Sequence, residues 1–296
     1  IPLGDTTVFP LAMEQFLVDP RLSTIDTSHE TPLFWQVPFV GGVFQNFMTG
    51  CSKKVLASNF KLADDDSMRV HMVRESLYVN ADLSSIEGIG KAGVEGLAKS
   101  HLADVIVSNH VHVIASTIFD ASHKGRLFTA LKHPVDRCIS EYYYILPTFD
   151  GIHNKEMNLE EFVSSKFSDK DWMTRFLIGK RNGELVPEDL QLAKEILRRR
   201  CLIGLHDQIE QSIHLFENYF GWVAEGKNAG NYRRCKQEVV SNEKAHAREI
   251  FGKIGKVEKG DAVYEKIVNL NKYDMELYWY AHDLFEKQKS WAKYGP

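Results

Sequence analysis

Gly41 and Gly42 follow an apolar run at 33–37 that ends at Pro38, and a helix-patterned stretch at 43–49 comes next. Strand, glycine turn and helix is a layout that aims backbone N–H groups at a phosphate or sulfate. The first amides of a helix have no internal partner and carry the positive end of its dipole. His110-Val111-His112 is the second segment of interest. Imidazole titrates near neutral pH, which suits it to take or give a proton. In an extended segment residues two apart face the same way. No matching third ligand stands out beside the pair, so a metal reading is weak. Gly88-Ile89-Gly90-Lys91-Ala92-Gly93 fits the Gly-x-Gly-x-x-Gly pattern. The strand before it ends near Ala81, and no acid follows at about 20 residues, as a dinucleotide site requires. A glycine-containing helix on a sheet is the better reading.

The elements that must hold these residues follow from hydrophobic periodicity. Strands are expected at 33–37, 54–60, 77–81, 103–107, 127–131 and 201–205. Helices are expected at 86–99, 134–144, 159–165, 172–178, from Pro187 onward, across Ile209, Ile213, Phe216 and Phe220, and at 274–288. Pro134 suits a first helical turn, where its missing N–H costs little. The alternation implies an α/β fold with three layers and a central, mostly parallel sheet. Residues 1–31 read as an irregular lead-in, and 32–296 as one domain. Residues 225–260, rich in charge and glycine, read as loops with a short helix and as a mobile segment.

Bulk properties narrow the function classes. The chain has 296 residues, 44% of them hydrophobic and 26% charged, with a net charge of -4. That balance excludes a general nucleic-acid binder. No apolar stretch reaches the roughly 20 residues that span a bilayer. The first residue is Ile1, which leaves a removed signal, transit peptide or anchor open. The cysteines, Cys51, Cys138, Cys201 and Cys235, form no CxxC pair. A Cys201–Cys235 bridge and free buried thiols both remain open.

Two segments, Phe34 to Phe44 and Phe128 to Tyr144, together resemble the donor-binding elements of sulfotransferases that use 3'-phosphoadenosine 5'-phosphosulfate (PAPS). In that family one strand ends in a Pro-Lys-x-Gly-Gly-Thr-Thr type loop that holds the 5'-phosphosulfate. Another ends in Arg-x-Pro-x-x-Arg-x-x-Ser-x-Tyr-Tyr, whose arginine and serine hold the 3'-phosphate. Lys132 stands at the first arginine, and Pro134, Arg137, Ser140, Tyr142 and Tyr143 fall in register. Lysine keeps the charge and loses the bidentate fork. Blocks at 88–109, 171–180, 189–207 and 274–288 are similar to a sulfotransferase-like group common in microalgae such as diatoms. The likeness covers most of 33–290 and fades at 225–260.

The resemblance implies a P-loop-like sulfotransferase fold and transfer of sulfate from PAPS to a hydroxyl acceptor, a carbohydrate in the related groups, with no metal. PAPS or its product PAP would be held by Gly41, Gly42, Val43, Lys132 and Ser140. His110 would be the base, with His112 as second choice. A secretory setting such as the Golgi lumen is implied by the same analogy. The first loop departs from the pattern. Phe39 replaces its lysine, and Val43 and Phe44 replace its two hydroxyl residues. Lys53 and Lys54 lie beyond the helix, roughly 15 Å away at 1.5 Å per residue, and do not reach back. The alternative implied by this loss is an inactive protein of the same fold, acting as a binding or structural subunit with a protein partner.

Overall fold

A computed structural model describes residues 9–40, 42–62, 66–152, 157–255 and 257–291. Its centre is a seven-stranded sheet of β1 (Glu30–Trp35), β2 (Leu56–Phe60), β3 (Val70–Val73), β4 (Ser76–Asp82), β5 (Val105–Ser108), β6 (Lys124–Leu131) and β7 (Cys201–Leu205). The spatial order is β3-β4-β2-β5-β1-β6-β7. Every neighbouring pair is parallel except β3–β4. The fold is therefore α/β, with a mostly parallel sheet flanked by helices. Strands covered on both faces need no polar alternation. Leu33, Phe34 and Trp35 of β1 are all fully buried, and so is every residue of β7. Phe128 of β6 packs against Phe34 at 5.0 Å and Phe216 at 5.1 Å between ring centroids.

The helices are α1 (Leu11–Phe16), α2 (Gly42–Asn46), α3 (Ile86–Val94), α4 (Leu97–Ser100), α5 (Val111–Thr117), α6 (Pro134–Ile152) and α7 (Leu159–Ser164), followed by α8 (Trp172–Ile178), α9 (Pro187–Arg200), α10 (Ile209–Tyr219), α11 (Ala229–Ile254), α12 (Ala262–Leu270) and α13 (Lys272–Gln288). A π-helical turn, Phe47–Cys51, continues α2. The helix expected at 86–99 breaks at Gly96, whose φ of 73° lies in the left-handed region. The glycine pattern inside α3 has a packing role. A Cβ on Gly88 would sit 2.0 Å from the Asp82 carbonyl oxygen, so the glycine lets α3 touch the end of β4.

Three expectations are corrected. The stretch before β1 is not irregular throughout, since it holds α1 with Met13 wholly buried. Arg126, itself fully buried in β6, ties that stretch down through the Ser23 carbonyl and the Glu30 carboxylate, each at 2.7 Å. Residues 225–260 hold the longest helix described, 26 residues in α11. Its buried stripe is sparse, with Tyr232, Val240 and Ile250, and this hid its periodicity. Cys235 pairs with Cys51, not Cys201, at a Cα separation of 5.5 Å. Cys201 lies fully buried in β7, where burial pushes its thiol far up, and Cys138 is also a free buried thiol.

The connections fix where a ligand can sit. The chain leaves β1 toward β2 on one side and leaves β6 toward β7 on the other. Because β1 and β6 are neighbours, their carboxyl ends flank a topological switch point, the usual ligand crevice of open α/β sheets.

Candidate functional site

Lys132 directly follows β6, and Ser140 lies in the second turn of α6. The Lys132 ammonium donates to Ser140 Oγ at 2.8 Å, so the regular helix brings the two together. Both are buried, and both line a cavity of about 390 Å³. The size falls at the lower end for small-ligand sites, roughly 300–1,000 Å³. The other walls come from Asp136 on α6, from His206 and Asp207 just past β7, from Glu210 on α10, and from Glu243, Lys244, Ile250 and Phe251 on α11.

The electrostatics of this cavity differ from those of an anion site. Four carboxylates face two lysines and one histidine. Lys244 is held by Glu210 at 2.6 Å, and His206 by Glu243 at 2.8 Å. Burial pulls the Lys132 ammonium below its ordinary pKa, while Glu243 and Asp136 draw it back up. Burial pushes Asp136 up against the opposing pull of His133 and Lys132. Burial also raises Glu243, but its hydrogen bond and attraction to His206 outweigh that, leaving it lowered. The charge of Lys132 is thus balanced from within the protein.

The β1 turn lies beside α6 but does not share this cavity. Phe39 stacks on Tyr144 of α6 at 5.9 Å between ring centroids, so the two segments touch. Of the described residues 36–40 and 42–44, none lines the Lys132 cavity. Gln36 and Pro38 instead line a separate cavity of about 220 Å³ with Ser84, Ser108 and Asn109. Gly42 opens α2, while Val43 and Phe44 are 2% and 1% exposed and belong to the core. Gly41 lies outside the described residues. Phe39 holds a φ of 65°, a left-handed conformation that costs a bulky residue about 1–3 kcal/mol.

The histidines part company. The segment is not extended, because His110 caps the start of α5 and His112 is inside it. His110 Nε2 donates to the Ser84 carbonyl at 2.9 Å, and its Nδ1 accepts from Arg181. Burial lowers its pKa, and Arg181 lowers it further. Both ring nitrogens are engaged, so a base role requires Arg181 to move. His112 Nε2 donates to the Leu177 carbonyl at 2.7 Å, tying α5 to α8. Burial lowers its pKa too.

Arg137 points away from the cavity. It is 1% exposed, meets Asp169 at 3.4 Å and lies within Coulombic reach of Glu141 and Asp274. Glu141 is pushed up to about 8 by burial, against the pull of Arg137. Sequence reasoning missed Asp136, His206, Asp207 and Glu243. The first three could have been found, since they sit just past strands at the carboxyl edge. Glu243 had no such signal. Among the described residues no group of three or more His, Cys, Asp or Glu is placed to hold a metal ion, and no helix is long and apolar enough to cross a membrane. No protein-family model matches the chain, and no curated protein is significantly similar to it.

Proposed function

We propose that the chain is a sulfotransferase-like protein, built on the P-loop-like fold of PAPS-dependent enzymes, that has lost sulfate transfer and serves as a binding or structural subunit. The observation that carries this reading is the fate of the β1 turn. Val43 and Phe44 are core residues, and Phe39 lies on Tyr144. Sulfuryl transfer needs donors aimed at the charge growing on the leaving group, and losing one typically costs about 3–4 kcal/mol. Here a cation and two hydroxyls are replaced by apolar side chains. The carboxylates around Lys132 add a second obstacle, because they repel a 3'-phosphate.

Calorimetry with PAP and transfer of radiolabelled sulfate from PAPS to carbohydrate acceptors test the reading. No heat at millimolar PAP and no label transfer are expected. Micromolar binding or label incorporation overturns it.

The 2.8 Å contact between Lys132 and Ser140 favours one competing reading. In it, PAPS binds through that pair and the amides of Gly41, Gly42 and Val43. His110 deprotonates a hydroxyl acceptor, a carbohydrate, in a secretory compartment. That reading requires label transfer that Lys132→Ala and His110→Ala each reduce at least a hundredfold.

A further inference from the structure

We infer that a second cleft, framed by the Cys51–Cys235 bridge and the start of α11, binds a small sugar carrying a sulfate or phosphate ester. Its volume is about 720 Å³, larger than the Lys132 cavity. Lys53, Lys54, Trp222, Asn228, Asn231 and Tyr232 are the lining side chains that matter.

Charge sets the ligand class. Among the described residues no carboxylate lines the cleft. Lys53 is exposed and Lys54 half-buried, and neither ammonium meets an ion-pair partner among the described residues. The acid behind the wall, Glu217, is already compensated. It is 3% exposed, accepts from Lys236 at 2.7 Å and accepts from the Tyr232 hydroxyl at 2.6 Å. Two ammonium groups without an ion-pair partner among the described residues form a point-charge site for an oxyanion.

Shape sets the rest. A bare oxyanion would fill a small part of this volume. The amides of Asn228 and Asn231 offer donors and acceptors to ring hydroxyls, and the Trp222 and Tyr232 side chains offer apolar edges. The walls are fixed in advance. The bridge joins the π-helical turn to α11, and Lys53 is held at a φ of 53°, a strained conformation of the kind that clusters at ligand clamps. Rigid walls lower the ordering cost of binding.

The probes are glucose 6-sulfate, glucose 6-phosphate and glucose, titrated into the full chain by calorimetry. The expected result is that at least one ester binds at least tenfold tighter than glucose, with affinity falling as salt rises. The tighter of the two esters identifies the natural group as sulfate or phosphate. The Lys53→Gln/Lys54→Gln double variant should lose at least tenfold in ester affinity, while Lys99→Gln, an exposed lysine elsewhere, should lose none. If the double variant fails to fold, Asn231→Asp, which adds a facing carboxylate, should cause a similar loss. Esters that bind no tighter than glucose, or variants that bind as the parent does, overturn the inference.

Discussion

The cavity at the strand ends and the lysine cleft lie along one helix, yet their charges are reversed. Helix α11 has 26 residues and is about 39 Å long, contributing Cys235 to the cleft and Glu243 to the cavity. The cavity holds the Lys132–Ser140 pair but surrounds it with four carboxylates. The cleft has no sequence motif, and among the described residues no carboxylate lines it and its lysines form no ion pair. A motif can therefore keep its geometry while neighbours from other elements reverse its electrostatics. Anion binding is decided by what faces the lysine, and those residues come from segments distant in sequence.

Breaking the bridge should disturb the link most. Cys51 and Cys235 are 184 residues apart, and closing a loop of that size stabilises a fold by about 5 kcal/mol in the chain-entropy account. Cys235→Ser should lower the unfolding free energy by that order in denaturant titrations. Hydrogen exchange should quicken in the first turns of α11 and leave β1 and β6 protected. A loss below about 1 kcal/mol would mean that packing alone holds α11, and the bridge would not organise the cleft.

The two faces of α6 sharpen the contrast at intermediate size. Ser140 faces the cavity, whereas Glu141 is buried beside Arg137, with its carboxyl pushed up to about 8 by burial from a usual 4.5. Between those two values the unfolded chain releases this proton and the folded chain keeps it. Stability should fall with rising pH by up to about 1.4 kcal/mol per unit across that window, with no contribution below it. Glu141→Gln should remove this slope. The variant should gain on the parent in thermal melts as pH rises from the usual 4.5 toward about 8. Parallel pH curves for the two proteins would mean that Glu141 is ionised in the folded state.

Much of this was legible in the sequence, for physical reasons that differ by segment. Strand β7 and helix α6 declared themselves, one through an unbroken apolar run and the other through Pro134 at its first turn. That Lys132 and Ser140 belong together was implied by the family resemblance, and the regular start of α6 then brings them into contact. Helix α11 was hidden because a helix anchored by a bridge and a few contacts needs no dense apolar stripe. With it went Glu243, and with Glu243 the reversed charge of the cavity. The pairing of Cys235 with Cys51 was equally hidden, since spacing alone does not give disulfide connectivity. The histidines were chosen by residue type, and the turn from strand into α5 then sent them to different partners.

The smallest effect isolates charge from shape. Asp136→Asn with Glu243→Gln removes two carboxylates that act on Lys132 and changes little volume. If charge is what keeps phosphate out, PAP affinity should rise at least tenfold, about 1.4 kcal/mol, from undetectable heat to a measurable isotherm. The pH dependence gives a second check. Burial lowers the Lys132 pKa, and both carboxylates hold it up, so the double variant should lower it further. The lysine then discharges at lower pH, and the gained affinity should fade as pH rises, sooner than an ordinary lysine would allow. PAP that still gives no heat in this variant would mean that the carboxylates are not what keeps phosphate out.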